Sequence, residues 1–361
     1  MRRTVKFSLG LANTTKKQIL QELSVVYCKG VNQYLQKMQS ESKYILSNQE
    51  VKEGNKVLSE SYKQCVYNKA VAIWKSWRRN KRKGQLSIYN GCIDLDSRFI
   101  IVEKAKNTSF DYWVKISTLN KGKRVVIPFK SYDYANQYWN EWQLCKGGKI
   151  KVEDDGKLSL ILTFEKETPK KKQIGKQIGI DIGIKKLMVD SDANQYGKEI
   201  EDKMDKIQRK QQGSKAFDRA LRERDYYVNK IVKELPFNDL KLIVMENIKN
   251  IKQNTKKEKR LRKEFRSKFQ RWTYAKLISR IEQISEADGV HCLKIDPAYT
   301  SQTCSKCGFV HKSNRNGELF LCKNCGCTLD ADFNASKNIL NLGLASENVI
   351  PRRTEAYAIQ P

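Results

Sequence analysis

Two CxxC pairs, Cys304 with Cys307 and Cys322 with Cys325, stand fourteen residues apart and constrain this chain more tightly than any other feature of its sequence. Two such knuckles facing each other across a short hairpin present four thiolates tetrahedrally, which is how structural Zn2+ is held. Each pair runs into a glycine, Gly308 or Gly326, at a tight turn under the metal where a Cβ is expected to clash. Four cysteine ligands leave no coordination position for a water, so the spacing predicts a zinc ribbon that holds something in place rather than a catalytic zinc. Next comes Asp330-Ala331-Asp332-Phe333-Asn334-Ala335, with Asp332 at the start of a predicted helix running to about Leu342. A carboxylate is thereby delivered beside a rigid clamp.

Of 361 residues, 70 are Lys or Arg and 40 are Asp or Glu, a formal charge of +30. Self-repulsion on that scale is tolerated most easily with a polyanion bound, which points to nucleic acid. No hydrophobic run approaches the ~20 residues of a membrane-spanning helix and no signal peptide opens the sequence, so an intracellular setting is expected. Cys28, Cys65, Cys92, Cys145, Cys292 and Cys327 are scattered without pattern and read as reduced thiols, mostly core filler. The two histidines, His291 and His311, are too few for a histidine-based metal nuclease, so any metal catalysis falls to carboxylates.

Arg2 to Leu9 alternates as an edge strand would. From Lys16 to about Trp77 apolar residues recur at helical spacing, as in Ile19, Leu23, Val26 and Tyr27, and predict a helical unit that ends in the basic run Trp77 to Lys83. Short strands are predicted at Leu86 to Tyr89, Phe99 to Val102, Trp113 to Ile116, Arg124 to Pro128, Lys149 to Val152 and Leu158 to Phe164, an antiparallel barrel or sandwich. The lone first strand pairs naturally with this set, which makes the helical unit an insertion in a β domain. The cluster Tyr132, Tyr134, Tyr138, Trp139 and Trp142 fits a helix packed on that domain better than a base-stacking surface. Glu165 to Lys176, rich in lysine and broken by Pro169, reads as a linker.

Beyond it, Gln177 to Val189 predicts two strands in tight succession around Asp181, with Gly183 leaving room for an anionic ligand near the backbone. Charged helices are predicted over about Ile200 to Gln212 and Ser214 to Leu235. Leu242-Ile243-Val244-Met245 reads as a doubly buried parallel strand ending in Glu246, and the carboxyl end of such a strand is where α/β sheets keep their chemistry. Between Lys249 and Arg271 eleven residues are basic and two acidic, while Phe265, Phe269, Trp272, Ile278, Ile281 and Ile284 keep helical spacing, so one face packs and the other is cationic. Val290 to Ile295 is the next strand. The residues from Ser346 onward show no pattern and read as a tail open to disorder.

Three acids therefore occupy special places: Asp181 on a strand, Glu246 at a strand end, Asp332 at a helix start. Carboxylates from separate strands and a helix can converge on two Mg2+ ions ~4 Å apart, one activating water and one stabilising the leaving oxygen of a phosphodiester. Asp330 is the rival of Asp332 for the third position.

Ile180-Asp181-Ile182-Gly183, Val244-Met245-Glu246-Asn247, Asp296-Pro297-Ala298-Tyr299-Thr300-Ser301-Gln302-Thr303-Cys304 and Asp332-Phe333-Asn334-Ala335-Ser336-Lys337-Asn338-Ile339 resemble the successive motifs of a RuvC-type nuclease domain in the TnpB family, the transposon-encoded relatives of compact type V CRISPR effectors. The resemblance implies a multidomain α+β chain. An RNase H-like RuvC nuclease domain (171–300 and 329–345) carries an inserted zinc ribbon (301–328). A wedge-like β barrel (1–10 and 84–170) with a helical recognition unit (11–83) precedes it, and a tail (346–361) follows. It further implies catalytic roles for Asp181, Glu246 and Asp332 on Mg2+, structural Zn2+ on Cys304, Cys307, Cys322 and Cys325, a bound guide RNA, and cutting of double-stranded DNA beside a short duplex motif. A cytoplasmic monomer acting at the nucleoid of a prokaryotic cell is expected. Two alternatives share part of the pattern. A DDE-type transposase also has three acids, but in the order Asp-Asp-Glu. An RNA-guided DNA binder without cleavage would lack the acids.

Overall fold

The computed structural model describes residues 1–42, 45–80, 84, 86–88, 92–153, 155–248 and 271–349. Its contacts divide the chain into two units, Met1–Glu167 and Thr168–Pro361, with the division inside the expected linker.

In the first unit β1 (Arg2–Ser8) leads into α1 (Thr14–Ser40), α2 (Asn48–Lys52) and α3 (Glu60–Arg79). Each helix starts where a short polar side chain can take an orphan N–H: Asn13 accepts from Lys16, Ser47 from Glu50 and Ser59 from Tyr62. There follow β2 (Cys92–Leu95), β3 (Ile100–Lys104), β4 (Tyr112–Ser117), β5 (Arg124–Phe129), α4 (Asp133–Glu141), β6 (Gln143–Leu144), β7 (Gly148–Val152) and β8 (Leu158–Glu165). β1 pairs antiparallel with β8 along its length, Arg2 with Glu165 through Ser8 with Ser159. The helices thus lie in sequence between two partner strands of one sheet, as expected. The strands form two antiparallel sheets, one ordered β1-β8-β7-β2 with β6 beside β8, the other β3-β4-β5. Helices and sheets share one hydrophobic core.

Leu86 and Ile88 do not form the predicted strand: their N–H groups go to the side chains of Gln39 and Asn32 on α1, and Tyr89 lies outside the described residues. The pairing falls instead to Cys92–Leu95, whose alternation is too short to stand out. Trp139 of α4 stacks on Tyr112 (3.9 Å) and meets Phe164 edge-on (4.9 Å), so the packing reading of the aromatic cluster holds there.

The second unit contains β9 (Lys176–Asp181), β10 (Met188–Asp190), β11 (Gln195–Tyr196), α5 (Ile200–Gln208), α6 (Lys215–Val232), β12 (Leu240–Glu246), α7 (Tyr274–Asp288), β13 (His291–Ile295), β14 (Arg315–Asn316), β15 (Leu319–Leu321), β16 (Thr328–Asp330) and α8 (Ala331–Val349). The main sheet is ordered β11-β10-β9-β12-β13, with β12 parallel to both β9 and β13. Side chains alternate across a strand, and β12 divides its apolar run accordingly. Ile243 and Met245 join the core under α5, α6 and α7, whereas Leu242 and Val244 join Ile339 of α8 on the other face; Leu240 joins the former because the register shifts between it and Leu242. The cationic stretch 249–270, including Phe265 and Phe269, lies outside the described residues.

α8 lies directly on the sheet. A Cβ at Gly179 of β9 would collide with the Ser336 carbonyl and stand 2.6 Å from the Leu340 nitrogen, so only glycine permits this approach. The helix runs past Leu342 to Val349, correcting both its predicted end and the reading of Ser346 onward as patternless tail; residues 350–361 lie outside the described set.

Candidate active site

Between β13 and α8 the chain forms a small three-stranded sheet, β14-β15-β16, that brings the two CxxC knuckles together. The four sulfurs all lie within 4.8 Å of one another, with Cys304 to Cys325 at 3.7 Å and Cys307 to Cys322 at 3.6 Å. Tetrahedral Zn–S bonds of about 2.3 Å place sulfurs ~3.8 Å apart, so the donor set fits zinc; the separations are far beyond the ~2.05 Å of a disulfide. Backbone donors favour thiolate at two of the four: the Phe309 N–H first of all pulls the Cys307 thiol down to about 6, and the Cys325 N–H lowers Cys322, whereas burial pushes Cys304 up to about 12 and, against the Cys327 N–H, the Cys307 sulfur raises Cys325. Gly308 and Gly326 are needed for a reason other than the expected one. Their φ angles are 75° and 69°, but a Cβ on either would meet nothing within 4 Å, so the requirement is the left-handed backbone and not space under the metal.

Asp181 and Glu246 each stand one residue beyond the last paired couple of β9 and β12, Ile180 with Met245, so the two carboxylates end adjacent strands in step. Asp332 enters from the first turn of α8. Asp181 feels the other two: burial first, then the charges of Glu246 and Asp332, push its carboxyl up to about 8. Burial also raises Glu246, against the Thr300 hydroxyl, which donates to its Oε1 at 2.5 Å, and the charge of Arg315. The sequence-predicted acids therefore converge at the carboxyl edge of the sheet. The four sulfurs, by contrast, are gathered within 4.8 Å of one another by the ribbon alone.

Asp330, the rival, is otherwise engaged. Its Oδ1 accepts the N–H groups of Asp332 and Phe333, both at 3.0 Å, as an N-cap of α8. Its Oδ2 takes Lys186 at 2.9 Å. Burial alone would raise this carboxyl, yet Lys186 and the helix N–H groups hold it below the usual range. Two buried asparagines of α8 explain the Asp-Phe-Asn-Ala-Ser-Lys-Asn run: Asn334 donates to the Thr303 carbonyl (2.8 Å), and Asn338 to those of Thr300 (2.8 Å) and Thr303 (2.7 Å).

Sequence reasoning missed three residues here. Arg315, from β14, donates through Nη2 to Asp332 Oδ1 at 2.8 Å. Lys186, only 13% exposed, stands 3.8 Å from Asp332 Oδ2. Thr300 fixes Glu246. Lys186 and Thr300 sat inside quoted stretches, but no spacing distinguishes Arg315 from the other basic residues of the ribbon. Gly183 has a structural reason as well: a Cβ there would stand 2.7 Å from the Lys186 carbonyl, so glycine serves the turn that carries Lys186.

With this geometry established, likenesses to known proteins can be placed on it. The family model for the Cas12f1-like TNB domain matches residues 274–339. Over 72 residues the chain is 46% identical to a CRISPR-associated endodeoxyribonuclease Cas12f1 of Sulfoacidibacillus thermotolerans, a stretch covering 20% of this chain and 17% of that protein. A TnpB-like protein of Methanocaldococcus jannaschii is 29% identical over 257 residues, 63% of this chain and 89% of that one. The solved Cas12f1-sgRNA-target DNA complex contains a chain of similar fold, with a TM-score of 0.54 at 16% identity over 90% of this chain and 82% of that one. The protein is thus related to TnpB and to the compact type V effectors. Among the described residues no helix is long and apolar enough to cross a membrane.

Proposed function

We propose that the protein is an RNA-guided DNA endonuclease of RuvC type, and the observation that carries this is the convergence of Asp181, Glu246 and Asp332 from two adjacent parallel strand ends and the helix packed on them. Carboxylates delivered from two strands and a helix in this way can hold two ions about 4 Å apart. Mg2+ held by the three acids would supply an activated water and stabilisation of the leaving oxygen. The chain's own residues prepare the rest. Thr300 fixes the Glu246 carboxylate, Asp330 and Lys186 fix the start of α8, and Arg315 presents a guanidinium suited to phosphate. Zinc on Cys304, Cys307, Cys322 and Cys325 would hold Arg315 in place through the ribbon.

On this reading residues 171–300 and 329–345 form the RuvC domain and 301–328 the ribbon. Residues 1–10 and 84–170 form a wedge-like barrel, and 11–83 the recognition unit. Guide RNA and double-stranded target DNA are the partners, in keeping with the charge of +30 and with the complex in which the similar Cas12f1 fold was solved. The protein acts as a monomer at the nucleoid of a prokaryotic cell. The test is to sequence the RNA that copurifies with the protein, program it with that guide, and measure cleavage of a matched duplex beside gel-shift binding. Guide-directed binding without metal-dependent cutting would leave an RNA-guided binder; strand transfer without a guide would favour a transposase.

A further inference from the structure

Tyr299 holds a backbone conformation that tyrosine rarely takes. Its φ is 64°, in the left-handed region where Cβ crowds the backbone and glycine is the ordinary choice. Three donors lock it there: the Tyr299 carbonyl accepts the N–H groups of Gln302 (2.9 Å) and Thr303 (3.0 Å) and the Thr303 hydroxyl (2.8 Å). Strain imposed this firmly clusters at binding and catalytic segments. Its result here is a presented ring, since Tyr299 is 65% exposed.

The residue that follows Tyr299 touches one of the acids. Thr300, the next residue, donates its hydroxyl to Glu246 at 2.5 Å and receives Asn338 of α8 on its carbonyl at 2.8 Å. The backbone that carries Tyr299 is therefore fastened both to the strand bearing one acid and to the helix bearing another. A polynucleotide with one phosphate at those acids passes the segment that carries Tyr299, and its neighbouring nucleotides are the candidates for the exposed ring. Every base offers a π-face, and stacking on an aromatic side chain holds a single strand without regard to its sequence.

We propose that Tyr299 stacks on a nucleobase next to the scissile phosphate and so selects which phosphodiester bond of the strand enters the acid site. The inference rests on the nuclease reading above and assigns a strand-positioning contact to it. The test uses the full chain with its copurifying guide and a matched target, as wild type, Tyr299→Ala, Tyr299→Phe and Tyr299→Gly. Loss of one base stack lowers cleavage roughly 5- to 150-fold in Tyr299→Ala, and the cut positions spread. Tyr299→Phe restores rate and position, and Tyr299→Gly, whose backbone favours the native φ, folds but cuts like Tyr299→Ala. Abasic nucleotides placed singly near the cut cause the same loss in wild type at one position and no further loss there in Tyr299→Ala. Wild-type cutting by Tyr299→Ala and Tyr299→Gly, or losses that multiply at every abasic position, overturns the proposal.

A binding arm separates this contact from the chemistry. A fluorescent aminopurine base at the identified position is quenched by the Asp181→Ala chain and stays bright when Tyr299→Ala is added; equal fluorescence in both overturns the stacking. Cutting by Asp181→Ala, or no cutting by wild type beside a Tyr299-dependent quench, strikes the nuclease reading instead and leaves the base contact standing.

Discussion

The cysteine cluster and the acid cluster are two metal candidates in one unit, prepared in opposite ways. The sulfurs are assembled within 4.8 Å by a short run of chain, and backbone N–H groups already favour thiolate at Cys307 and Cys322. The acids arrive from β9, β12 and α8, and their mutual repulsion is restrained by Arg315 and Lys186. A closed site of this kind needs its ion in order to fold. An open one stores unfavourable charge that a bound metal relieves.

The largest expected effect falls on the open site. Asp181→Ala, Glu246→Ala and Asp332→Ala should each lower cleavage at least about 1,000-fold, since every one removes a carboxylate from the same two-ion set. Target binding, measured by gel shift, should survive, and double variants should cut no worse than single ones. Robust cutting by any of the three removes that residue from the site. The closed site should respond in stability. Cys322→Ser should lose about one zinc per chain by elemental analysis and lower both the melting temperature and cleavage, because the ribbon carries Arg315. A variant that keeps its zinc refutes the ligand assignment.

The third effect is smaller and runs the other way. The folded carboxyl of Asp181 is pushed up to about 8, by burial first and then by its acidic neighbours, well above the ~3.9 of an unfolded Asp. Its protonated form therefore favours folding at low pH, and that contribution is lost as pH rises from about 4 through about 8. Without divalent metal, Asp181→Asn should melt higher than wild type by roughly 2–5 °C near pH 8, with the difference vanishing near pH 4; a lower melting temperature at pH 8 would contradict the crowding of charge. Smallest is Asp330→Ala. Loss of an N-cap costs about 1 kcal/mol, so thermal melting should drop slightly while cleavage stays within a few-fold. Abolished cleavage would exchange the roles of Asp330 and Asp332.

The same contrast governs what was legible in the sequence. The cysteine cluster was readable because four cysteines at fixed spacing are a local code, and the place of Glu246 because a continuous apolar run announces a central parallel strand. Asp332 could be chosen over Asp330 only as an expectation; the structure adds the physical reason, the capping bonds that occupy Asp330. Arg315 and Lys186 were invisible, since a basic residue among seventy carries no mark until folding sets it beside an acid. Leu86 to Tyr89 was misread because its alternation resembles a strand, whereas Asn32 and Gln39 of α1 supply the competing hydrogen bonds. The reason for Gly308 and Gly326 was misread for a similar cause, as φ is not written in composition.

α8 rests on β9 at Gly179, where the strand offers bare backbone to the Ser336 carbonyl and to Leu340, so on the strand side there is no side chain that could be exchanged for another of similar size. Elsewhere in the core, drift of sequence can be absorbed by trading volumes between neighbours. At this contact there is no volume to trade. The separation of Asp181 from Asp332 is accordingly a gauge cut into the main chain of the strand.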